Sequence, residues 1–151
     1  MRRSDREIKD PAEIEEILKR GKVCHIALCK ENEPYVVPMN YAWRDGTLYL
    51  HSAREGKKVE FARQNPYISF CVVSEWEVVE GPVPCSWTTH YRSVMGSGRV
   101  EFVEDAAEKA AALEIFMEHY TKGPFEFPKA ALDRVLVWKI RADSLTGKKN
   151  V

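Results

Sequence analysis

The sequence predicts a mainly β fold, an antiparallel β-barrel with helices packed outside it. Short segments rich in β-branched and aromatic residues follow one another closely, and tight-turn residues such as Asp45-Gly46 join them. The regular alternation of one strand with one helix that produces a parallel sheet is absent. Charge is sparse where a core is expected, because residues 34–103 hold 14 charged side chains among 70, against 46 in all 151 residues.

The first half of the chain begins with a helix and continues as β-hairpins. Asp10, Pro11 and Glu13 supply an N-cap acid, a proline at the first helical position and a glutamate at the third, so a helix is expected from here to Gly21. Strands are then predicted over 23–28, 35–43 and 47–51, with turns at 31–33 and 44–46. A capping box at 52–55 predicts a second helix, which must end near residue 65 because a proline follows.

The second half contains long β segments and two helical segments. A strand is predicted over 67–73, a loop over 75–85 and a long β segment over 87–103, in which Gly96 and Gly98 indicate a bulge or a close backbone approach. These glycines do not precede a helix, which excludes a Rossmann fingerprint. Asp105 caps a helix whose apolar residues keep a 3.6-residue period. A helical turn over 129–133 and a last strand over 135–140 follow a connection at 123–128.

Composition and charge limit the classes of partner. The formal net charge is zero, because 23 Lys and Arg balance 23 Asp and Glu. A surplus of basic groups is what binds nucleic acids and acidic membrane surfaces, so neither partner is expected. The opening decapeptide is too charged for a signal core, and the longest uncharged stretches have about ten residues, roughly half a bilayer crossing. These observations predict a single domain over residues 1–151, located in the cytoplasm.

The spacing of cysteines and histidines predicts neither disulfides nor a metal site. The four cysteines lack CxxC spacing, and Cys24 and Cys29 are too far apart along one predicted strand to form a disulfide. We therefore expect four reduced, buried cysteines. The four histidines have no HExxH or HxH spacing, and no GxSxG elbow occurs, so neither a metal nor a protein-only nucleophile is expected.

HSAREGKK, residues 51–58, is the most informative candidate site. A strand is predicted to end at His51 and a helix to begin near Ser52, so the free amides and the helix dipole of the first turn would attract an anion. Lys57 and Lys58 add two ammonium groups, and His51 and the Ser52 hydroxyl can donate further hydrogen bonds to a phosphate. The alternative is an ordinary capped surface helix with solvated lysines.

The uncharged run PYVVPMNYAW, residues 34–43, is a candidate for contacting a flat ring. Pro38 lies in mid-strand, where proline is tolerated at an edge or beside something other than protein backbone. A ring lying there would use the unpaired backbone groups of Met39, Asn40 and Tyr41. An edge strand covered by a helix is equally compatible with the pattern.

A third segment, residues 85–100, carries aromatic and hydroxyl side chains. Trp87, Tyr91 and Ser93 share one face of the predicted strand because side chains alternate. Such a face suits a heterocycle, a subunit interface or plain sheet packing.

Together these segments resemble a known family. PYVVPMNYAW, LYLHSAREGKKVEFARQNPYISF, CSWTTHYRSVMGSGRVE and an alanine-rich helix with EKAAAL are similar, in order and spacing, to the nitroimidazole-resistance branch of the pyridoxamine 5′-phosphate oxidase-like flavin-binding proteins. The resemblance covers about residues 2–149. It implies a split β-barrel homodimer that binds flavin mononucleotide (FMN) in two clefts at the subunit interface.

The resemblance also implies roles for particular residues. The family's phosphate-binding block is matched by His51, Ser52, Ala53, Lys57 and Lys58. Its strand along the flavin ring is matched by Pro38, Met39, Asn40 and Tyr41. The block that approaches the cofactor from the partner subunit is matched by Trp87, Tyr91 and Ser93, with Lys148 as a looser match. The flavin then carries the chemistry, and no catalytic side chain is assigned.

Three functions remain open at this point. The first is a flavin-dependent oxidoreductase of small aromatic or nitro compounds. The second is a haem-binding protein on the same barrel, with His25, His51 or His119 as axial ligand. The third is a sensor or carrier that holds flavin without turnover. Pyridoxamine phosphate oxidation is not expected, because the terminal ADSLTGKKNV lacks the arginine-bearing segment of the oxidase that names the superfamily.

Overall fold

The structure is a computed structural model that describes residues 3–151, so Met1 and Arg2 of the predicted domain lie outside the described residues. The strands are β1 (Glu7–Ile8), β2 (Val23–Lys30), β3 (Glu33–Asn40), β4 (Ala42–Arg44), β5 (Thr47–Ala53), β6 (Tyr67–Val79), β7 (Thr88–Val103) and β8 (Val135–Asn150). The helices are α1 (Pro11–Arg20), α2 (Lys57–Gln64), α3 (Ala106–Glu118) and α4 (Lys129–Arg134), with 3₁₀ turns at Ser4–Arg6 and Pro84–Ser86.

The strands form one antiparallel sheet that is rolled into a barrel. Its order is β3-β2-β6-β7-β8-β5-β4, and β1 pairs with β8. β3 and β4 are the two edges of this sheet, yet Tyr41 alone separates them in the chain. The two edges must therefore meet at Tyr41, which closes the barrel. The fold class predicted from the sequence is confirmed.

The barrel is open on one side of this closure. β3 pairs with β2, and the Leu50–Ala53 part of β5 pairs with β8; no ladder joins β3 to β5 among residues 3–151. Cα atoms of β3 and β5 still come within 8 Å of each other. We call this gap between the Pro38–Asn40 and His51–Ala53 segments the seam.

The core fills the barrel from alternate strand positions. Cys24, Ile26 and Leu28 of β2 point inward, and the residues between them point out. Leu18 of α1 enters the same core and is fully buried, as is Trp138 of β8. Burying an aliphatic side chain of this size contributes about 1.5–3 kcal/mol. These buried side chains therefore stabilise the strands around the seam through contacts in the barrel interior.

Most predicted elements are confirmed. The side chain of Asp10 accepts from the Ala12 N–H at the start of α1, and Asp105 accepts from the Glu108 N–H at the start of α3. Positive φ angles at Glu31, Asn32, Asp45 and Gly46 make the two tight hairpin turns. β7 shifts register between Ser97 and Gly98, so the predicted bulge is present.

The predicted start of the second helix is wrong. β5 continues through Ala53, and α2 begins at Lys57 after Gly56, which has a φ of 119°. The capping box fails because Ser52 keeps the strand alternation and points into the barrel, where the Trp138 indole N–H donates to its hydroxyl. A side chain used there cannot cap a helix.

Two predicted strand ends are also wrong, because each strand has a long partner. Glu75–Val79, predicted as loop, continues β6 and pairs with Thr88–Arg92 of β7. β8 extends ten residues past Ile140 to Asn150 and pairs with the first half of β7. The prolines that suggested a loop, Pro82 and Pro84, lie in the connection at the tip of this ribbon.

The expectation that all four cysteines are buried is wrong for three of them. Cys24 is buried, Cys71 is half-buried, and Cys29 and Cys85 are exposed. All four are free thiols. Burial raises the pKa of Cys24 to about 12, so this thiol is inert.

No helix in the described part of the chain is long and apolar enough to cross a bilayer.

Candidate functional site

The seam has a β3 wall with two outward side chains. Pro38 and Asn40 are exposed, whereas Met39 and Tyr41 point into the core. Pro38 lies opposite His25 of β2 on the edge strand, where proline is tolerated. Asn40 Nδ2 donates to the Lys22 carbonyl at 3.2 Å. Met39 and Tyr41 therefore cannot offer side chains to a ligand in the seam, and only their backbone could contact one.

The backbone of Tyr41 is already engaged. Its N–H donates to Tyr120 Oη at 3.0 Å, and its carbonyl accepts from the same hydroxyl at 2.7 Å. Tyr41 therefore has no free backbone groups, because the Tyr120 side chain, just after α3, makes the hydrogen bonds that a neighbouring strand would have made. Sequence reasoning missed this role, since Tyr120 appeared as one more apolar position in the helical period.

His51 forms part of the opposite wall. Its ring meets Phe116 of α3 edge-on, with the centroids 4.6 Å apart, although the residue as a whole is exposed. This partial burial, with a smaller contribution from the positive charge of Lys58, lowers the pKa of His51 below 6.5. The imidazole is therefore neutral at pH 7 and can both donate and accept a hydrogen bond.

Ser52 anchors the turn from inside the barrel. Its side chain is buried, with 8% of the residue exposed. The hydroxyl accepts from Trp138 Nε1 at 3.0 Å and donates to the Ala53 carbonyl at 2.7 Å. Its single proton is used, so the predicted donation from Ser52 to a phosphate is not available in this arrangement. Ala53 is exposed and ends the strand.

The first turn of α2 offers free backbone donors. Gly56 is the N-cap, and no side chain caps the amides of Lys57, Lys58 and Val59. A Cβ at Gly56 would meet no atom within 4 Å, so the backbone is openly accessible here. The positive end of the helix dipole adds to these donors.

The two lysines of this turn face different surroundings. Lys57 Nζ binds Glu33 Oε1 at 2.8 Å and lies 5.0 Å from the centre of the Tyr35 ring. Lys58 lies near His51, since its charge contributes to the lowered pKa of that ring, and it forms no ion pair within residues 3–151. No carboxylate in the described part of the chain neutralises Lys58, so its charge is available to an anion near His51.

The third predicted block lies at the far end of β7 and β8. Ser93 pairs with Lys148, and Lys148 Nζ lies 5.8 Å from the centre of the Tyr91 ring. Burial acts to raise the pKa of Tyr91, but hydrogen bonds from Arg6 and Lys148 outweigh it and lower that pKa.

Trp87 departs from the predicted strand face, and Trp76 was missed. Trp87 precedes β7, and its indole N–H donates to the Gly81 carbonyl at 3.0 Å. Trp76 of β6 lies directly opposite Tyr91 and is 73% exposed. A loop was predicted over residues 75–85, and a loop offers no strand face on which Trp76 would lie beside Tyr91.

One chain does not bring these blocks together. His51 pairs with Val137 of β8, whereas Ser93 pairs with Lys148, eleven residues further along the same strand. At 3.3 Å per residue this is a path of about 36 Å along β8. The seam and the Trp87–Ser93 block are therefore separate surfaces of a single subunit.

The histidines considered as haem ligands are dispersed. His25 is exposed on β2, and His119 Nε2 lies 2.7 Å from the Gly21 carbonyl. Within residues 3–151 no group of three or more His, Cys, Asp or Glu side chains is placed to hold a metal ion.

Comparison with protein families gives a match over nearly the whole chain. A family model described as pyridoxamine 5′-phosphate oxidase matches residues 10–149. A stretch of 57 residues is 33% identical to an uncharacterised protein of Rhizobium meliloti (strain 1021), covering 38% of this chain and 37% of that protein.

Solved structures share the fold at high similarity. A candidate 5-nitroimidazole antibiotic resistance protein from Bacteroides thetaiotaomicron VPI-5482 is 39% identical with a TM-score of 0.86, over 95% of this chain and 86% of that one. A FAD-binding protein from Mesorhizobium loti is 26% identical with a TM-score of 0.70, over 97% and 98%. A flavocytochrome from Azotobacter vinelandii has a TM-score of 0.86 over 100% and 72%, and at 21% identity it shows the fold alone.

Proposed function

The chain belongs to the pyridoxamine 5′-phosphate oxidase family, and from that premise we propose that it is a homodimeric flavoprotein that reduces small aromatic or nitro compounds. The flavin we propose is FMN, held at the seam. The uncapped first turn of α2, beside the unpaired Lys58 and the neutral His51, is the observation that carries this proposal.

The residues at the seam fit a phosphorylated ring. Free amides at the start of α2 and the Lys58 ammonium suit a phosphate, since hydrogen bonds between charged partners are roughly twice as strong as neutral ones. The exposed Pro38 and Asn40 border the same gap and suit the edge of a flat ring. The bound flavin would supply hydride or single-electron transfer. The chain would orient the ring and anchor its phosphate.

A second copy of the chain completes the proposed site. Ser93 and Lys148 lie eleven residues, a path of about 36 Å, along β8 from the register of His51, and Tyr91 lies two residues further, which supports their contacting a flavin held by the other subunit. Trp76 and Trp87 are exposed on the β6–β7 ribbon. Exposed aromatic side chains are enriched at protein interfaces, which supports a partner subunit over this ribbon.

The similar proteins support the ligand and substrate classes. The Mesorhizobium loti protein is named as FAD-binding, and the Bacteroides thetaiotaomicron protein is named for 5-nitroimidazole resistance. Four free thiols support a reducing, cytoplasmic setting.

An absorbance spectrum of the purified protein tests flavin binding. We expect flavin bands, and FMN in the extract by mass spectrometry. Colourless protein that also fails to bind added flavin would contradict the proposal. Turnover is tested separately with reduced nicotinamide and a panel of nitroaromatic acceptors. Bound flavin that never cycles would leave a carrier or sensor role in place of a reductase.

A further inference from the structure

The segment Arg6–Glu13 crosses the ends of β7 and β8 that carry the Trp87–Ser93 block. It contains the last residue of a 3₁₀ turn, all of β1 and the start of α1. Its β1 part pairs with Gly147 and Lys148, on the edge of β8 that faces away from β7. A Cβ at Gly147 would come within 2.8 Å of Ile8 Cβ, so the segment packs closely on β8. We call this segment the strap.

Glu13, at one end of the strap, binds one cation from each of the two strands. Its Oε1 accepts from Arg92 of β7, and its two carboxylate oxygens accept from Lys149 Nζ of β8 at 2.9 and 2.8 Å. The Glu13 side chain is only 20% exposed, so salt screens these pairs less than the exposed pairs of the surface. Glu13 therefore joins the ends of β7 and β8 to α1.

The two cations alternate along their strands with residues of the proposed flavin site. Arg92 lies between Tyr91 and Ser93, and Lys149 follows directly after Lys148. Successive side chains of a strand point to opposite faces, so Tyr91, Ser93 and Lys148 face away from α1. The Lys148 Nζ, 5.8 Å from the centre of the Tyr91 ring, agrees with this. We call these three residues the Tyr91 cluster, and a shift of either strand end would move it.

The other end of the strap contacts Tyr91 itself. Burial acts to raise the pKa of Tyr91, but hydrogen bonds from Arg6 and Lys148 outweigh it and lower that pKa. Arg6 and Glu13 thus hold the same strand ends from opposite faces of the sheet. The lowered pKa of Tyr91 depends on both cations staying beside the phenol, so it reports on their position.

We propose that Glu13 is a positioning residue, which holds the ends of β7 and β8 in the arrangement that presents the Tyr91 cluster to the flavin of the other subunit. This inference rests on the proposed function, in which a second copy completes the flavin site. Without the Glu13 charge, Arg92 keeps Glu75 as a partner at 3.3 Å, whereas Lys149 loses its only carboxylate within residues 3–151. The two cations then repel each other, and the strand ends shift.

The pKa of Tyr91 in the flavin-free protein tests the positioning, and NMR of the ¹³C-labelled tyrosine rings measures it. The variant Tyr91→Phe assigns the signal. We expect Glu13→Gln to raise this pKa, because Lys148 moves away from the phenol. Loss of a negative charge without movement would lower it, so the sign separates positioning from a direct effect of charge. Glu16→Gln, which removes an exposed carboxylate of the same helix that pairs with Arg20, is the matched control and should leave the pKa unchanged.

Fluorescence titration with FMN tests the consequence for the flavin site. We expect Glu13→Gln to bind FMN about tenfold more weakly than the wild type, the effect of one misplaced charge-assisted contact. Glu16→Gln should bind FMN as the wild type does.

The outcomes separate this inference from the proposed function. An unchanged or lowered pKa of Tyr91 in Glu13→Gln would overturn the inference and leave the flavin site intact. A raised pKa with unchanged FMN affinity would also contradict it, because the position of the Tyr91 cluster would not matter to the flavin. Wild-type protein that binds no flavin would overturn both. If Glu13→Gln does not fold, Lys149→Met decides the question, because it breaks the contact with β8 alone and unchanged FMN affinity would contradict the inference.

Discussion

Lys57 and Lys58 are neighbours in the sequence but differ in what they contact. Both belong to the predicted phosphate block, and sequence spacing could not rank them. In the structure Lys57 is held by Glu33, whereas Lys58 lies near His51 without a carboxylate partner in the described part of the chain. Successive residues of a helix point about 100° apart, so Lys57 and Lys58 face different surroundings.

Replacing these two lysines in turn should separate their roles. Lys58→Met should weaken FMN binding by about 1.5–3 kcal/mol, or roughly 10- to 150-fold in Kd, because a charge-assisted contact is lost. Lys57→Met is the matched control and should have a smaller effect on FMN. Fluorescence titration measures both. Equal losses in the two variants would contradict the assignment of Lys58 to the phosphate.

The histidines near the seam make stability depend on pH. Burial is the main cause of the lowered pKa of both His51 and His119. The unfolded chain, with a pKa near 6.5, then binds more protons than the folded chain, so the free energy of unfolding should fall as the pH drops below about 6.5.

Urea unfolding at pH 7.5 and pH 5.5 measures this dependence. His51→Gln and His119→Gln should each reduce the difference in unfolding free energy between the two pH values. His25→Gln, at an exposed position on β2, is the control. A wild-type protein more stable at pH 5.5 would contradict the sign.

Ser52 illustrates what single-residue chemistry could not predict. A serine before a charged segment is a good N-cap by composition, and the prediction placed it there. Its actual role depends on Trp138, which is 86 residues away in the sequence and donates to its hydroxyl. A hydrogen bond of that range leaves no local pattern.

At the scale of elements, the closure of the barrel depends on a side chain after α3. Tyr120 bonds both backbone groups of the fully buried Tyr41 at the point where β3 passes into β4. Tyr120→Phe should lower the free energy of unfolding by about 1–3 kcal/mol, because buried backbone groups lose their partner. Urea denaturation checks this. Tyr67→Phe, whose hydroxyl bonds Ser97 on the exposed face, should change stability by less than about 0.5 kcal/mol. Similar effects of the two substitutions would contradict the closure role.

The bulge in β7 requires a glycine. A Cβ at Gly98 would overlap the carbonyl oxygen of Arg141 in β8. Gly98→Ala should therefore destabilise the protein by more than about 2 kcal/mol, since the backbone of a central strand must move. Ser97→Ala, one residue earlier, loses only exposed hydroxyl contacts and should cost less than about 1 kcal/mol. Thermal or urea unfolding compares the pair, and a neutral Gly98→Ala would show that the two strands are not closely packed there.

The sequence predicted local elements well and long pairings poorly. The cap at Asp105, the Asp45-Gly46 turn and the Gly98 bulge follow from residues close together in the chain. The extension of β6 to Val79 and of β8 to Asn150 depends on β7, whose 16 residues offer a partner to both. Pairing of this kind is decided by strand neighbours and not by propensity.

At the scale of the whole molecule, the chain carries two halves of one proposed site on separate surfaces. The resemblance assigned Trp87, Tyr91 and Ser93 to a partner subunit, and the path of about 36 Å along β8 between the registers of His51 and Ser93 supports that proposal. The net charge of zero predicts no general affinity for polyanions, and His51–Lys58 is where we propose a local anion site. Sequence patterns predicted the residues of both halves, but only the register of β8 shows that the two halves lie far apart along one strand.

Flavin binding by a mixture of two variants tests most directly the central claim that one flavin site is built from two chains. Lys58→Met and Trp87→Ala each damage a different half, and each alone should bind FMN weakly. After unfolding and refolding together at equal amounts, mixed dimers would hold one site with both defects and one intact site. The account predicts that the mixture regains wild-type affinity at about one flavin per four chains, from statistical pairing of a twofold dimer. A mixture that shows only the weak binding of the separate variants would contradict it.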